Sequence, residues 1–256
     1  MMPFIEFLRP EAMTDTVFLA LTGTSFIASF ITAAFGIGGG ALLLAVMATL
    51  VPVTALIPTH GVIQIGSNLG RVLMTIRHVF WPALPWFTVG SIIGALAGGA
   101  VVVNLPVALV QIGIGGFVMW SVLGSPPKQI RDLPFLIGGI SSFLTMFFGA
   151  TGMFVATFTK SQNLPRHAHV ATHAMLMTVQ HGVKSAAFGL LGFAFSEWWG
   201  FVIVMIAAGF IGTLAGLQLL NRMDDRRFKR ALDIVLLLLS VRLIYAGLSD
   251  LWSGTT

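Results

Sequence analysis

Cysteine is absent from the 256 residues, and charged residues make up only 9% of them. The lack of cysteine excludes disulfides, thiolate metal sites and thiol catalysis. The scarcity of charge excludes an ordinary soluble domain, since a soluble surface needs roughly a quarter of the residues to be charged. Hydrophobic residues reach 56%, and repeated apolar runs of about 20 residues predict an all-α polytopic membrane protein.

The N-terminus also lacks the basic stretch that begins a signal peptide. Glu6, Glu11 and Asp15 precede the first apolar run, so we interpret that run as a membrane element. The net charge of +5 does not indicate a nucleic-acid partner, because the cations stand in short connections between apolar runs. A positive-inside bias explains them better, and the lipid bilayer is the predicted surrounding.

The apolar segments form two copies of one unit. Residues Ile27 to Arg71 recur as Ile140 to Lys184 at a constant offset of 113, since 140 − 27 and 184 − 71 are both 113. The eight segments lie at about 16–51, 53–77, 82–103, 106–124, 132–160, 166–193, 197–220 and 228–250. We divide the chain into an N-terminal segment 1–15, a first membrane repeat 16–124, a linker 125–131, a second membrane repeat 132–251 and a C-terminal tail 252–256.

The third segments of the two copies match through small residues spaced four apart. These are Gly90, Gly94 and Gly98 in the first copy and Ala208, Gly212 and Gly216 in the second, after an insertion of about five residues. Small residues at this spacing let helix backbones approach closely in lipid. We therefore predict that they pack helices within the protomer rather than bind a ligand.

The first and fifth segments are each interrupted by glycines, at Phe35–Gly40 and at Phe148–Gly152. We call these interruptions the two glycine breaks. Glycine at this density ends a helix and leaves backbone N–H groups without intrahelical partners. In lipid such a break is tolerated where protein shields it or where it lines a cavity.

The charges of the connections favour one topology. If the interrupted segments dip in and return as re-entrant hairpins, the cations of all connections fall on one side, and the two copies are inverted with three crossings each. The cations concerned are Arg71, Arg77, Lys128, Arg131, Lys160, Arg166, Arg222, Arg226, Arg227, Lys229 and Arg230. The alternative is eight full crossings, which the length of Thr16–Phe35 would allow.

Two polar stripes run down the second and sixth segments. One consists of His60, Gln64, Ser67, Asn68 and Arg71, and the other of His173, Met177, Gln180, His181 and Lys184. Their spacing places each set on one face of an α-helix. A polar face on a membrane helix turns toward the bundle interior. The alternative to a binding role is a polar seam that only joins helices.

Together the glycine breaks and the stripes predict a site for a small anion. A short helix beginning near Gly39 or Gly152 points free N–H groups and its positive dipole end at whatever fills the break. The first, second, fifth and sixth segments contain no carboxylate, which disfavours a cation site. The predicted substrate-binding residues are Gly36, Gly38, Gly39, Gly40, His60, Asn68, Arg71, Gly149, Thr151, Gly152, His173, Gln180, His181 and Lys184. The Thr151 hydroxyl is predicted to be an extra donor.

Neither a metal site nor a catalytic site is predicted. His167, His169 and His173 have no acidic or thiol neighbours to complete a metal shell, and we expect the first two to precede the helix. No HExxH, GxSxG or acid pair is present. Asp233 is the one acid within an apolar segment that could matter, and Arg230 can pair with it. We expect no cofactor.

The stretch AAFGIGGGALLLAVM, Thr59-His60 with Arg71, and the second copy FFGATGMFV resemble the TauE/SafE family of sulfite and organosulfonate exporters. The resemblance covers nearly the whole chain. It implies an inner-membrane carrier for small sulfur oxyanions or sulfonates. Leu43 to Val46 stands where the commoner family pattern has a proline, so that half-helix is expected to be more regular. Sulfur specificity is an analogy at the level of the family.

We therefore expect a multi-pass transporter of the cell inner membrane that exports small anions by alternating access. The histidines are the candidates for proton coupling, because they titrate near neutral pH. Two alternatives stay open, a passive anion channel of the same architecture and an intramembrane metal-dependent enzyme. A homodimer is compatible with the sequence.

Overall fold

The computed structural model of the protein describes residues 8–11, 13–35, 38–102, 106–219 and 225–253. These residues contain helices and no strand, which confirms the predicted all-α class. The helices are α1 (Asp15–Phe35), α2 (Gly39–Leu50), α3 (Val53–Thr75), α4 (Leu84–Val102), α5 (Val107–Leu123), α6 (Pro134–Phe148), α7 (Gly152–Ser161), α8 (Arg166–Leu190), α9 (Trp199–Leu219) and α10 (Asp225–Ser253). Helix α10 therefore extends beyond the predicted boundary at residue 251.

The two glycine-interrupted segments each form two helices. Helix α1 ends at Phe35 and α6 ends at Phe148, which lie 113 residues apart. The following helices begin at Gly39 and Gly152, again 113 apart. Gly38 has φ +106° and Gly149 has φ +73°, a left-handed backbone that side-chain-bearing residues rarely adopt. Both segments are thus broken where the sequence predicts.

Among the described residues four stretches are long and apolar enough to cross a membrane, and they lie on α1, on α4 with the turn before it, on α9 and on α10. These stretches are Asp15–Phe35, Trp81–Val102, Trp199–Gln218 and Leu232–Ser253. Helices α3 and α8, with 23 and 25 residues, are also long enough to cross a membrane. They carry the polar stripes, however, which lowers their hydropathy. A helix of this kind needs other helices around it in lipid.

Helices α3 and α8 pack against each other in the interior. All ten positions of the two polar stripes are buried, including Arg71 and Lys184, whose exposed fractions are 1% and 0%. The rings of His60 and His181 meet across the helix pair with their centroids 5.8 Å apart. The prediction that the stripes face the bundle interior is confirmed.

The small residues of α4 and α9 bring helix backbones into direct contact. Helix α4 packs on α6, where a Cβ at Gly94 would overlap the Gly139 carbonyl oxygen. Helix α9 packs on α1 in the same manner, since a Cβ at Gly212 would overlap the Phe26 carbonyl oxygen. The predicted role of these residues in helix packing is confirmed. Each glycine-interrupted segment is thus held by the third segment of the other half of the chain.

One end of the bundle collects the basic connections. The Ser161 hydroxyl at the end of α7 donates to the Arg131 carbonyl, just before α6, at 3.2 Å. The His78 ring lies 5.6 Å from that of His167, so α3 ends where α8 begins. We call this end, formed by residues 76–83, 124–133 and 161–166, the basic end. The α6–α7 hairpin both starts and finishes there.

The other hairpin starts from the opposite end. The rings of Phe18 and Phe201 lie 6.1 Å apart, so α1 begins beside the beginning of α9. Helix α9 follows α8, which starts at the basic end and runs away from it. Helix α3 finishes at the basic end and hence starts at the opposite one. The α1–α2 hairpin accordingly begins and ends at the opposite end.

Candidate functional site

A cavity of about 450 Å³ lies between the two glycine breaks. It is lined by Thr32, Phe35, Gly38, Gly40, Ala41, Gln64, Asn68, Ser121, Val122, Gly124, Ala150, Gly152, Met153, His173, Met177, His181, Leu232, Asp233 and Leu236. Gly124 is exposed and follows α5 at the basic end. Among the described residues, no lining residue comes from the opposite end. The cavity is therefore open toward the basic end.

Two helix N-termini meet at this cavity. Gly38 and Gly40 at the start of α2 line it from one side, and Gly152 at the start of α7 lines it from the other. Neither N-terminus has a side-chain cap. The first N–H groups of a helix have no intrahelical acceptor, and the helix dipole places partial positive charge there. The junction is consequently suited to an anion.

A histidine fixes each of these N-termini. His60 Nε2 donates to the Gly40 carbonyl at 3.1 Å, and His173 Nε2 donates to the Gly152 carbonyl at 3.3 Å. The two histidines are 113 residues apart and come from different central helices. Each imidazole thereby joins a half-helix to α3 or α8. The histidines position the site, and only His173 also lines the cavity.

The Thr151 hydroxyl is used within the protein. It donates to the Ser141 carbonyl at 3.0 Å and accepts from Gln180 Nε2 at 2.6 Å. The other end of the Gln180 amide accepts from the Ser141 hydroxyl at 2.8 Å. The prediction that this hydroxyl is an extra donor to the ligand is therefore wrong, because its proton is already engaged. Thr151 and Gln180 instead connect α6, α7 and α8.

The two buried cations stand behind the cavity wall. Arg71 donates to the Asn68 side-chain oxygen at 3.1 Å, and Asn68 lines the cavity. Lys184 Nζ donates to the Gly149 carbonyl at 3.5 Å, and its side chain passes beside Gly61, next to His60. Neither cation has a carboxylate partner among the described residues. Their charge reaches the cavity through a low-dielectric interior, where it is screened weakly.

Several buried polar atoms of the site have no hydrogen-bond partner within the described part of the chain. They are Arg71 Nε and Nη1, His60 Nδ1, His173 Nδ1, and both ring nitrogens of His181. Buried polar groups are normally hydrogen-bonded, to protein, water or a ligand. Those at His173 and His181 belong to cavity-lining residues. Because His60 and His173 donate through Nε2, their Nδ1 atoms are acceptors in the neutral rings. The unused donors of the site are therefore one N–H of His181 and those of Arg71.

The structure brings six of the predicted residues to the cavity wall. These are Gly38, Gly40, Asn68, Gly152, His173 and His181. Another seven are buried around it without lining it: Gly39, His60, Arg71, Gly149, Thr151, Gln180 and Lys184. Gly39 packs closely, since a Cβ there would overlap the Ala28 carbonyl oxygen. Gly36 lies outside the described residues.

Four polar wall residues are absent from the predicted set: Thr32, Gln64, Ser121 and Asp233. Gln64 was already on the first stripe, and its amide lies where a Cβ at Gly40 would stand. The sequence allows Asp233 to pair with Arg230. The side chain of Arg230 is exposed, and Asp233 makes no ion pair among the described residues. The prediction that disfavours a cation site concerns only the first, second, fifth and sixth segments, whereas α10, from the eighth segment, contributes a carboxylate to the cavity wall.

The histidines do not form a metal centre in the described structure, where no group of three or more histidine or acidic residues comes together. His167 and His169 lie in the first turns of α8. The expectation that they precede the helix is therefore wrong, since Pro165 is the N-cap and the helix begins at the next residue. His167 faces His78 at the basic end, away from the cavity.

Comparison with known proteins gives one family. The model of the family described as "Sulfite exporter TauE/SafE" matches residues 21–243. The chain is also 27% identical over 240 residues to a "Probable membrane transporter protein" of Haemophilus influenzae, an alignment that covers 86% of this chain and 91% of the relative. No solved structure matches the chain.

Proposed function

Because the chain belongs to the TauE/SafE sulfite exporter family, we propose that it exports small sulfur oxyanions or organosulfonates. The family and the similar bacterial protein indicate a multi-pass membrane transporter rather than an enzyme. The substrate class, the direction and the mechanism are parts of the proposal. Family membership supports the first of them by analogy, and the site supports it by its chemistry.

The observation that carries the proposal is the meeting of two uncapped helix N-termini at one buried cavity. Backbone N–H groups and dipole ends favour oxyanions, whose several oxygens accept hydrogen bonds in different directions. Arg71 and Lys184 add positive charge from behind. The volume of about 450 Å³ is many times the space that one water molecule needs. That is enough for a small organic anion with part of its hydration.

A carrier is favoured over a channel by the closed side of the cavity. Beyond the second break, Gly149 is covered by the side chains of Leu44 and Ile57, which are buried to 0% and 4% exposure. A channel would need a continuous polar path through this apolar layer. We propose that the two hairpins and the central pair α3–α8 move relative to the surrounding helices, so that the opposite side opens when the basic end closes.

The basic end supplies the proposed orientation. We propose that this end faces the cytoplasm of a cell whose inner membrane holds the protein. The cations Arg77, Lys128 and Arg131 support this orientation, since positive connections stay on the cytoplasmic side. The cavity then faces the cytoplasm, which is the loading side for an exporter. The hairpin contacts support an inverted arrangement of the two halves. This arrangement suits a site shared between them.

The decisive test is sulfite and alkanesulfonate flux in liposomes that contain the purified protein. Arg71→Gln and Lys184→Gln should each lower flux by about tenfold or more, because each removes a buried charge near the anion. Arg77→Gln is the matched control, since Arg77 is exposed just after the end of α3, the helix that holds Arg71. It should retain wild-type flux. Unchanged flux in both buried variants would contradict the site.

Counterflow distinguishes the two transport mechanisms. A carrier loaded with unlabelled sulfonate on one side accelerates entry of labelled sulfonate from the other, and its flux saturates. A channel shows neither acceleration nor saturation at the same concentrations. Flux that rises linearly with concentration and shows no counterflow would therefore contradict the carrier mechanism and favour the channel.

A further inference from the structure

Asp233 brings a negative charge to a cavity whose other features attract anions. It lies half-buried on α10, between the lining residues Leu232 and Leu236. Leu232 reaches the first glycine break, since its Cδ2 lies 2.7 Å from where a Cβ of Gly38 would stand. Asp233 is thus adjacent in the chain to a residue that touches the anion-attracting helix start. Among the described lining residues it is the only carboxylate.

The described helices around Asp233 carry few charged groups. Helix α10 packs on α5 and α2, and neither helix contains a titratable residue. Across the cavity stand His173 and His181, and behind the wall stand Arg71 and Lys184. On its own helix Lys229 and Arg230 lie one turn earlier, and the side chain of Arg230 is exposed. No described cation contacts the Asp233 carboxylate.

An ionised carboxylate and a bound oxyanion in one small cavity repel each other, and a low local dielectric strengthens the repulsion. Protonation of the carboxylate removes this repulsion and supplies an O–H donor. The proton and the anion therefore favour each other's binding, and thermodynamic linkage makes the effect reciprocal. Protonation of His173 or His181 would add a positive charge to the cavity but would leave the negative charge of the carboxylate in place.

We propose that Asp233 takes up the proton that accompanies the anion, which makes transport proton-coupled symport. The inference rests on the proposed function. A proton from water binds one Asp233 carboxylate oxygen when the anion enters, and it returns to water when the anion leaves on the other side. No covalent bond of the anion forms or breaks, and the loaded site carries one negative charge fewer than the anion and carboxylate together.

The test measures binding of a short alkanesulfonate, whose charge stays constant between about pH 5 and pH 8, to the full-length protein in detergent. Wild-type affinity should rise with acidity, by at most about tenfold per pH unit for one proton. Calorimetry in buffers of different ionisation heat should give about one proton taken up per sulfonate. In Asp233→Asn the amide imitates the neutral acid, so affinity should no longer depend on pH and proton uptake should disappear.

Asp250→Asn is the matched control, because Asp250 lies on the same helix near its far end and outside the cavity. It should keep the wild-type pH dependence. PH dependence and proton uptake that persist in Asp233→Asn would assign the coupling to the histidines and overturn the inference. Sulfonate binding without proton uptake in the wild type would overturn it as well, with the proposed function intact. Absence of sulfonate binding at every pH would overturn the proposed function and this inference with it.

Discussion

The Ser161 hydroxyl donates to the Arg131 carbonyl across 3.2 Å, and this bond ties the end of α7 to the residues before α6. The α6–α7 hairpin therefore enters and leaves the bundle at the basic end. We predict that single cysteines at Ser161 and Ser125 react with a membrane-impermeant thiol reagent from the same face. Ser125 is exposed at the basic end. The chain has no cysteine of its own, so labelling reports only the introduced residue.

A cysteine at Glu197 provides the reference for the opposite end, because Glu197 is exposed in the turn before α9. In inside-out vesicles it should be protected, while Ser161→Cys and Ser125→Cys are labelled. Labelling of Ser161→Cys and Ser125→Cys from different faces would mean that α6 and α7 cross the membrane together, and the re-entrant arrangement would be abandoned.

The two glycine breaks predict different responses to the same substitution. A Cβ at Gly39 would overlap the Ala28 carbonyl, whereas a Cβ at Gly152 would lie 3.6 Å from its nearest neighbours, which are ordinary contacts. Gly39→Ala should therefore lower thermal stability, with overpacking that costs roughly 1–3 kcal/mol. Gly152→Ala should fold with wild-type stability. Unfolding of both variants is followed by tryptophan fluorescence on heating, and equal midpoints would contradict the inequivalence of the two halves.

The helices, the glycine breaks and the polar faces could be predicted from the sequence, because each of them has a local cause. The glycines that adopt φ +106° and +73° can be seen in the sequence as glycine clusters. The polar period of three to four residues can be seen there as well. The sequence equally identified Asn68, His173 and His181 on the cavity wall, since an interior polar stripe has few places to point. The internal offset of 113 added a second copy of each signal.

What the sequence could not provide is the packing of helices distant in the chain. Arg71 and Lys184 lie on the predicted helix faces, but their position behind the cavity wall depends on how α3 crosses α8. Asp233 enters the cavity because α10 packs on α5 and α2, a contact that no local pattern encodes. The hydrogen bonds of the Thr151 hydroxyl also depend on the packing of distant helices, because its partners Ser141 and Gln180 come from two other helices.

The close contact between α4 and α6 predicts a sharp difference between two neighbouring glycines. A Cβ at Gly94 would overlap the Gly139 carbonyl, while a Cβ at Gly99 would meet only Leu191 and Met146 side chains, at 3.5 and 3.7 Å. Gly94→Ala should separate the helices and lower stability by roughly 1–3 kcal/mol. Gly99→Ala should be neutral or slightly stabilising, because alanine favours helix. Heating curves of the two proteins in the same detergent compare them, and an intact Gly94→Ala would exclude a tight backbone contact there.

The Gln180 amide holds the start of α7 through Ser141 and Thr151, and its removal should affect both stability and transport. Gln180→Leu removes the hydrogen bonds of the amide to Ser141 and Thr151, and one such bond contributes about 0.5–1.5 kcal/mol. We expect a lower melting midpoint and slower sulfonate flux, since the N-terminus of α7 loses its support. Gln111→Leu is the matched control, because the buried Gln111 Oε1 has no hydrogen-bond partner among the described residues. That variant should be neutral or more stable, and a larger loss at Gln111 than at Gln180 would contradict the assigned role of the Gln180 amide.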